Sequence, residues 1–152
     1  MKKHLKKIAL ALAVIFVGIQ LIPTKLNLSD TISSSDFFEI YMAPQNIQKI
    51  IKTSCYDCHS NNTQYPWYSK IQPAAWLMER HINEGKEELN FSTFGDYSNR
   101  RKKGKLKSII SQIKDDEMPL WSYTLIHRNA TLTEGDKLIL NQWLNKIKDS
   151  LK

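Results

Sequence analysis

Two cysteines and a histidine stand within five residues of each other, in the run Cys55-Tyr56-Asp57-Cys58-His59. A thiol can add to each of the two vinyl groups of a haem, which gives two thioether bonds. Because the cysteines are three positions apart, one helical turn points both sulfur atoms to the same side. The imidazole of the next residue can then bind the iron. The spacing predicts a covalent c-type haem attachment site, with one haem c per chain and two unconstrained spacer residues.

Three other uses of paired cysteines fit this sequence less well. A redox dithiol of the thioredoxin type needs a surrounding βαβ pattern, which the sequence does not show. A structural zinc site takes four ligands, but the chain has only two cysteines and no second pair of closely spaced histidines. A disulfide that closes a loop of two residues removes little chain entropy. Covalent haem attachment uses both cysteines and leaves no odd thiol.

The N-terminus has the pattern of an export segment. Four lysines lie within residues 1–7, and residues 8–22 are apolar except for Gly18 and Gln20. This apolar run is shorter than the roughly 20 residues that span a bilayer, and no small-residue cleavage site follows it. The pattern favours an uncleaved anchor in the inner membrane, with the lysines inside and the domain in the periplasm. A cleaved signal peptide is the alternative.

Composition divides the chain into three parts. We predict a signal peptide or membrane anchor over residues 1–24, a polar, serine-rich tether over 25–36 and a haem-binding domain over 37–152. The net charge of +7 arises mainly at the N-terminus, since the first 25 residues contain five lysines and no acidic residue. The remainder, with 17 basic and 15 acidic residues, gives no indication of nucleic-acid binding.

Apolar residues recur at helical spacing in four segments of the predicted domain. The segments are residues 44–54, 73–85 and 101–114, and a fourth that begins after Thr133 with a capping-box pattern. Sustained alternation typical of strands is missing. The sequence therefore predicts an all-α fold, a small cytochrome c-like helical domain around a covalent haem. The haem would supply much of the apolar contact that so small a core lacks.

Met118 is the best candidate for a second iron ligand. It follows the third predicted helix in a loop, and its thioether sulfur is a soft ligand suited to an iron that cycles between two oxidation states. Pro119 stiffens the backbone beside it. His81, on the apolar side of the second helix, and His127 are the alternatives.

Several separate motifs in this chain resemble one family. They are Ser54-Cys55-Tyr56-Asp57-Cys58-His59-Ser60-Asn61-Asn62-Thr63, Tyr65-Pro66-Trp67-Tyr68, His81-Ile82, Leu89-Asn90-Phe91-Ser92 and Glu117-Met118-Pro119-Leu120. Over residues 20–143 the sequence is similar to the small "haem-binding domain" proteins of Gram-negative bacteria, which are monohaem c-type proteins often anchored at the N-terminus. The resemblance implies covalent haem on Cys55 and Cys58, with His59 as axial ligand. The Met-Pro step also resembles the axial-methionine loop of cytochromes c, which implies Met118.

Two classes of function follow from these expectations. The first is an electron carrier, in which a haem closed by His59 and Met118 passes single electrons to a redox partner protein. The second is a haem enzyme or gas sensor with an open or displaceable sixth position, where His81 or His127 serves as an acid-base group. A domain this small has little material for a substrate pocket, which favours the electron carrier over an enzyme.

Overall fold

The computed structural model describes residues 2–151, and these contain helices and turns but no β-strand. The α-helices are α1 (Lys2–Ile19), α2 (Phe37–Ile40), α3 (Gln45–Ser54), α4 (Tyr56–His59), α5 (Ala74–Glu88), α6 (Asn99–Lys114), α7 (Trp121–Thr124) and α8 (Glu134–Ser150). Short 3-10 helices lie at Trp67–Lys70, Phe91–Asp96 and Arg128–Ala130. The all-α prediction is confirmed.

The four predicted helices correspond to α3, α5, α6 and α8. Helix α8 starts with the predicted capping box, in which Thr133 and Asp136 each bind the other's backbone N–H. Helix α5 differs from the prediction, because it continues past Gly85 to Glu88. The apolar spacing of this segment predicts that Leu77 faces the core, which is wrong, because Leu77 is 54% exposed.

The core forms where α3, α6 and α8 meet. Helix α6 lies along α8, and α3 contacts both α8 and α4. The buried side chains at this junction are Ile47, Ile51, Leu106, Ile113, Leu140 and Leu144. Burial of these side chains supplies the main favourable free energy for holding the three long helices together.

An aromatic cluster extends the core to the cysteine motif. The Phe37 ring is fully buried and lies 4.8 Å from the Phe94 ring and 5.1 Å from the Phe91 ring, centroid to centroid. Tyr56 stacks between Phe38 and Phe91, at 5.3 and 5.2 Å. Aromatic pairs at these separations add to the free energy gained by burial alone. A residue expected to be only a spacer in the motif therefore anchors α4 to the core.

Helix α1 buries none of its side chains. Its 18 residues include the four N-terminal lysines. In the part of the chain that the structure describes, no helix combines the length and the apolar character needed to cross a membrane. The predicted N-terminal membrane anchor is thus not supported by the structure.

The segment expected to be a tether makes specific hydrogen bonds to the domain. The Asn27 side-chain amide donates to the Ser60 carbonyl at 2.8 Å and to Thr63 Oγ1 at 2.9 Å, while its backbone N–H donates to Tyr65 Oη at 2.6 Å. Further along, the Ser35 carbonyl accepts from the Gly95 N–H at 2.8 Å. Parts of residues 25–36 therefore lie against the loop that follows the cysteine motif and against the 3-10 helix Phe91–Asp96. The domain boundaries themselves stay a prediction.

Candidate functional site

The cysteine motif lies at a break between two helices. Cys55 has φ −130° and ψ −39°, so the helical geometry of α3 stops there and α4 restarts at the next residue. The Cys55 carbonyl accepts the N–H groups of Cys58, at 3.3 Å, and His59, at 2.9 Å. The predicted single turn between the two cysteines is thus present.

The His59 ring is oriented by two backbone carbonyls of the α5 end. Its Nδ1 lies 2.8 Å from the Gly85 oxygen and 3.0 Å from the Leu89 oxygen. Both partners can only accept, so Nδ1 carries the proton and donates it. The lone pair is then on Nε2, which is the arrangement found when a histidine binds a metal through Nε2.

Close packing of α4 on α5 makes these hydrogen bonds possible. A Cβ atom placed on Gly85 would lie 2.8 Å from the carbonyl oxygen of Cys58. Any side chain at this position would therefore push the two helices apart. This glycine serves a close approach between helices, although the sequence suggested that it ends α5.

Met118 is brought to the site by a tight turn at the end of α6. Asp116 adopts φ 58°, in the left-handed region, and its carboxylate forms an ion pair of 2.6 Å with Lys137. The N–H groups of Glu117 and Met118 then both donate to the Gln112 carbonyl, at 2.9 and 3.2 Å. The chain thus folds back on the last turns of α6.

A cavity of about 220 Å³ opens beside α4 and α6. It is lined mainly by apolar side chains, and Cys55, His59 and Met118 are all part of its wall. The second cysteine, Cys58, is next to this wall but does not line it. Three of the four predicted site residues, from sequence positions up to 63 apart, therefore meet at one cavity.

Neither alternative histidine lines this cavity. His81 is half-buried on α5, and the His127 ring stacks on Tyr123 at 4.3 Å between centroids. His127 Nε2 also lies 2.6 Å from Tyr68 Oη. His127 therefore contacts two tyrosines, Tyr68 and Tyr123, and is not part of the cavity wall.

Asp57, which the sequence presented as a spacer, is a hydrogen-bonding centre. Its carboxylate accepts from Tyr123 Oη at 2.7 Å and from the Gln64 N–H at 3.0 Å, and its carbonyl accepts from Thr63 Oγ1 at 2.6 Å. These bonds join α4 to α7 and to the loop after the motif. The only sequence signal for this role was an acidic residue at the start of a short helix, which is too common to be interpreted.

Burial keeps both thiols protonated in the chain without haem. It raises the pKa of Cys55 to about 12, with the nearby Cys58 adding to the effect. The pKa of Cys58 rises to about 11 through burial and then through the negative charge of Asp57. Dithiols that act as redox catalysts have a lowered pKa on the attacking cysteine, so these values oppose that class.

The donor set of the cavity fits a haem. It offers a thiol, an imidazole with a free Nε2 and a thioether, within a mainly apolar wall. In residues 2–151, no cluster of three or more histidine, cysteine or acidic side chains suits a bare metal ion. The site thus has the character of a prosthetic-group pocket.

Comparison with protein families agrees with this chemistry. The model of the family described as "Haem-binding domain" matches residues 14–146, which is most of the chain. The protein therefore belongs to the haem-binding domain family, and the resemblance noted in the sequence is confirmed. A search of curated proteins and a search of solved structures each gave no match.

Replacing Gly85 with Ala should separate α4 from α5, because the new methyl group would contact the Cys58 carbonyl oxygen. We expect lower haem content and a loss of stability of about 1–3 kcal/mol, the usual cost of overpacking. Haem absorbance per chain and chemical unfolding measure the two effects.

Gly104 on α6 is the matched control, since a Cβ there has nothing within 4 Å. Its change to Ala should stabilise the protein by about 0.5–1 kcal/mol. Equal effects of the two substitutions would contradict the close-approach role.

The raised thiol pKa values predict slow alkylation of the full-length chain made without haem. The ordinary value is 9.0, so at pH 8 the folded chain should react more slowly with iodoacetamide than the unfolded chain. The rate should increase as the pH approaches 11, where Cys58 ionises. If the folded chain instead reacts faster than the unfolded chain at pH 7, the cysteines form a redox-active dithiol. The Cys58→Ser variant reports the slower Cys55 alone.

Proposed function

We propose that this protein is an exported monohaem c-type cytochrome that carries single electrons. Its haem would be attached through Cys55 and Cys58, with His59 and Met118 as the two iron ligands. One observation carries the proposal: Cys55, His59 and Met118 line the same cavity, whereas His81 and His127 do not.

Covalent attachment suits the chemistry of the two thiols. Each S–H adds across a vinyl double bond, so the bond forms without an oxidant and without a leaving group. The turn from Cys55 to Cys58 presents both sulfur atoms from one short segment. The raised pKa of each thiol keeps both sulfur atoms in the S–H form that takes part in this addition.

Bound haem supplies an iron that changes between the ferric and ferrous states by one electron. The protein's part is to hold the ligands still during that change. The Gly85 and Leu89 carbonyls orient the His59 ring, and the hydrogen bond from Nδ1 makes Nε2 a stronger donor. Met118 is held through its own N–H to the Gln112 carbonyl. A thioether ligand favours the ferrous state and so raises the potential relative to two histidines.

We further propose that residues 1–24 direct export, so that the haem is attached in the periplasm, where a redox partner protein would meet it. The four lysines and the apolar run of residues 8–22 support this. Removal of this segment would break the hydrogen bonds of Gln72 with Gln20 and Ile22 but would leave those of Asn27 with the domain.

Substitution of Met118 by Ala should open one coordination position. We expect the weak red absorption band of the oxidised protein to disappear and the reduced protein to bind carbon monoxide. His81→Ala is the control and should change neither the spectrum nor the spin state. A high-spin His81 variant beside a low-spin Met118 variant would instead show that the iron has two histidine ligands. Strong carbon monoxide binding by the unmodified protein would favour a gas sensor or enzyme.

Deletion of residues 1–24 should leave the chain in the cytoplasm and without covalently bound haem. A denaturing gel stained for peroxidase activity checks this, because only covalently bound haem stays with the chain. The matched control replaces the same residues with an unrelated cleavable export signal, which should restore full staining in the periplasmic fraction. Equal staining of the deleted chain in cells without attachment proteins would contradict export-dependent attachment.

A further inference from the structure

Part of the cavity wall is polar. Apart from His59, its polar lining residues are Ser54, Glu88, Lys105, Ser108 and Gln112. Three of these lie on α6 at spacings of three and four residues, so they share one helix face that points into the cavity. A haem brings two carboxylates into such a pocket, on the porphyrin edge away from the vinyl groups. Cations and hydrogen-bond donors on this wall are therefore candidates to receive them.

We propose that Lys105 binds a haem propionate, with Ser108 and Gln112 as neighbouring hydrogen-bond donors. This rests on the proposed use of the cavity for haem. Among the described residues that line the cavity, Lys105 is the sole cation. Its side chain is only 22% exposed, so the stem lies along the cavity wall and the ammonium group stays close to it.

The present partner of Lys105 is easily replaced. Glu88 Oε2 lies 3.6 Å from Lys105 Nζ, and the Glu88 side chain is 85% exposed. An ion pair of this length with so exposed a carboxylate contributes little. A propionate inside the cavity would be less screened by water and would attract the same ammonium group more strongly. Glu88, whose side chain is already mostly in solvent, can then move away from Lys105, which reduces its repulsion of the propionates.

The distance along α6 agrees with this assignment. Gln112, whose carbonyl holds the Met118 turn, lies seven residues beyond Lys105, or about 10 Å along the helix axis. Lys105 thus lies about two helical turns from the part of α6 that holds Met118, a separation that leaves room for a carboxylate at the periphery of a bound haem. Helix α6 would then hold the Met118 turn through Gln112 and bind a propionate through Lys105.

The reduction potential of the haem-loaded protein tests the proposal. Lys105→Gln removes a positive charge beside the haem, which should stabilise the ferric state and lower the potential. Lys107→Gln is the matched control, because Lys107 is exposed on the same helix and does not line the cavity. Its effect should be much smaller, and Lys105→Arg should restore most of the original potential. Equal shifts for the two glutamine variants would overturn the proposal.

A second measurement separates this proposal from covalent attachment. The full-length chain made without attachment proteins is titrated with haem and with haem dimethyl ester, whose propionates are uncharged. We expect tighter binding of haem by about tenfold, the effect of one hydrogen bond between charged groups. Lys105→Gln should abolish this preference, and Lys107→Gln should keep it. Equal binding of haem and its ester by the unmodified chain would also overturn the proposal.

The two proposals fail in different ways. Absence of peroxidase staining in the exported protein would refute covalent attachment, while the comparison of haem with its ester would still decide the role of Lys105. Normal staining and spectra together with an unchanged ester preference in Lys105→Gln would refute only the propionate assignment.

Discussion

The hydrogen bonds from the His59 imidazole to the Gly85 and Leu89 carbonyls set the position of the whole site. They require the last turns of α5 to lie directly against α4, and only a residue without a side chain permits this at position 85. Other contacts of the motif support the same placement. Tyr56 joins it to the aromatic core, and Asp57 joins it to α7. The ring is thus held by elements on several sides of a four-residue helix that is too short to be stable by itself.

The cavity is a product of long-range packing. One wall comes from the α3–α4 junction, and the other comes from α6 and the turn that carries Met118. The left-handed backbone at Asp116 and its ion pair with Lys137 reverse the chain so that the thioether faces the same space as the imidazole. A ligand at the site therefore bridges segments that are distant in the sequence, and its binding will stabilise the native state.

The local environment of the cysteines also limits the chemistry available to them. Burial that raises the pKa of both thiols would hinder a disulfide-exchange catalyst, which needs a thiolate. The same burial is suited to a prosthetic group, because a porphyrin gains free energy from an apolar wall. Tyr68 and Tyr123 contact His127 beyond the motif, the first through a hydrogen bond and the second through ring stacking.

The sequence by itself determined the helical class, the four long helices of the domain, the thiol and imidazole spacing and the family. Each of these depends on local periodicity, on a capping pair such as Thr133 and Asp136 or on a short motif. Tertiary structure alone decided that Gly85 serves a close helix approach, that Asp57 and Asn27 are hydrogen-bonding centres and that Met118 rather than His81 or His127 shares the cavity with His59. The physical reason is that these properties depend on which residues meet across distant parts of the chain. Side-chain type and spacing do not specify these long-range contacts. The same glycine, aspartate or methionine is compatible with many loop and helix positions until tertiary packing selects one.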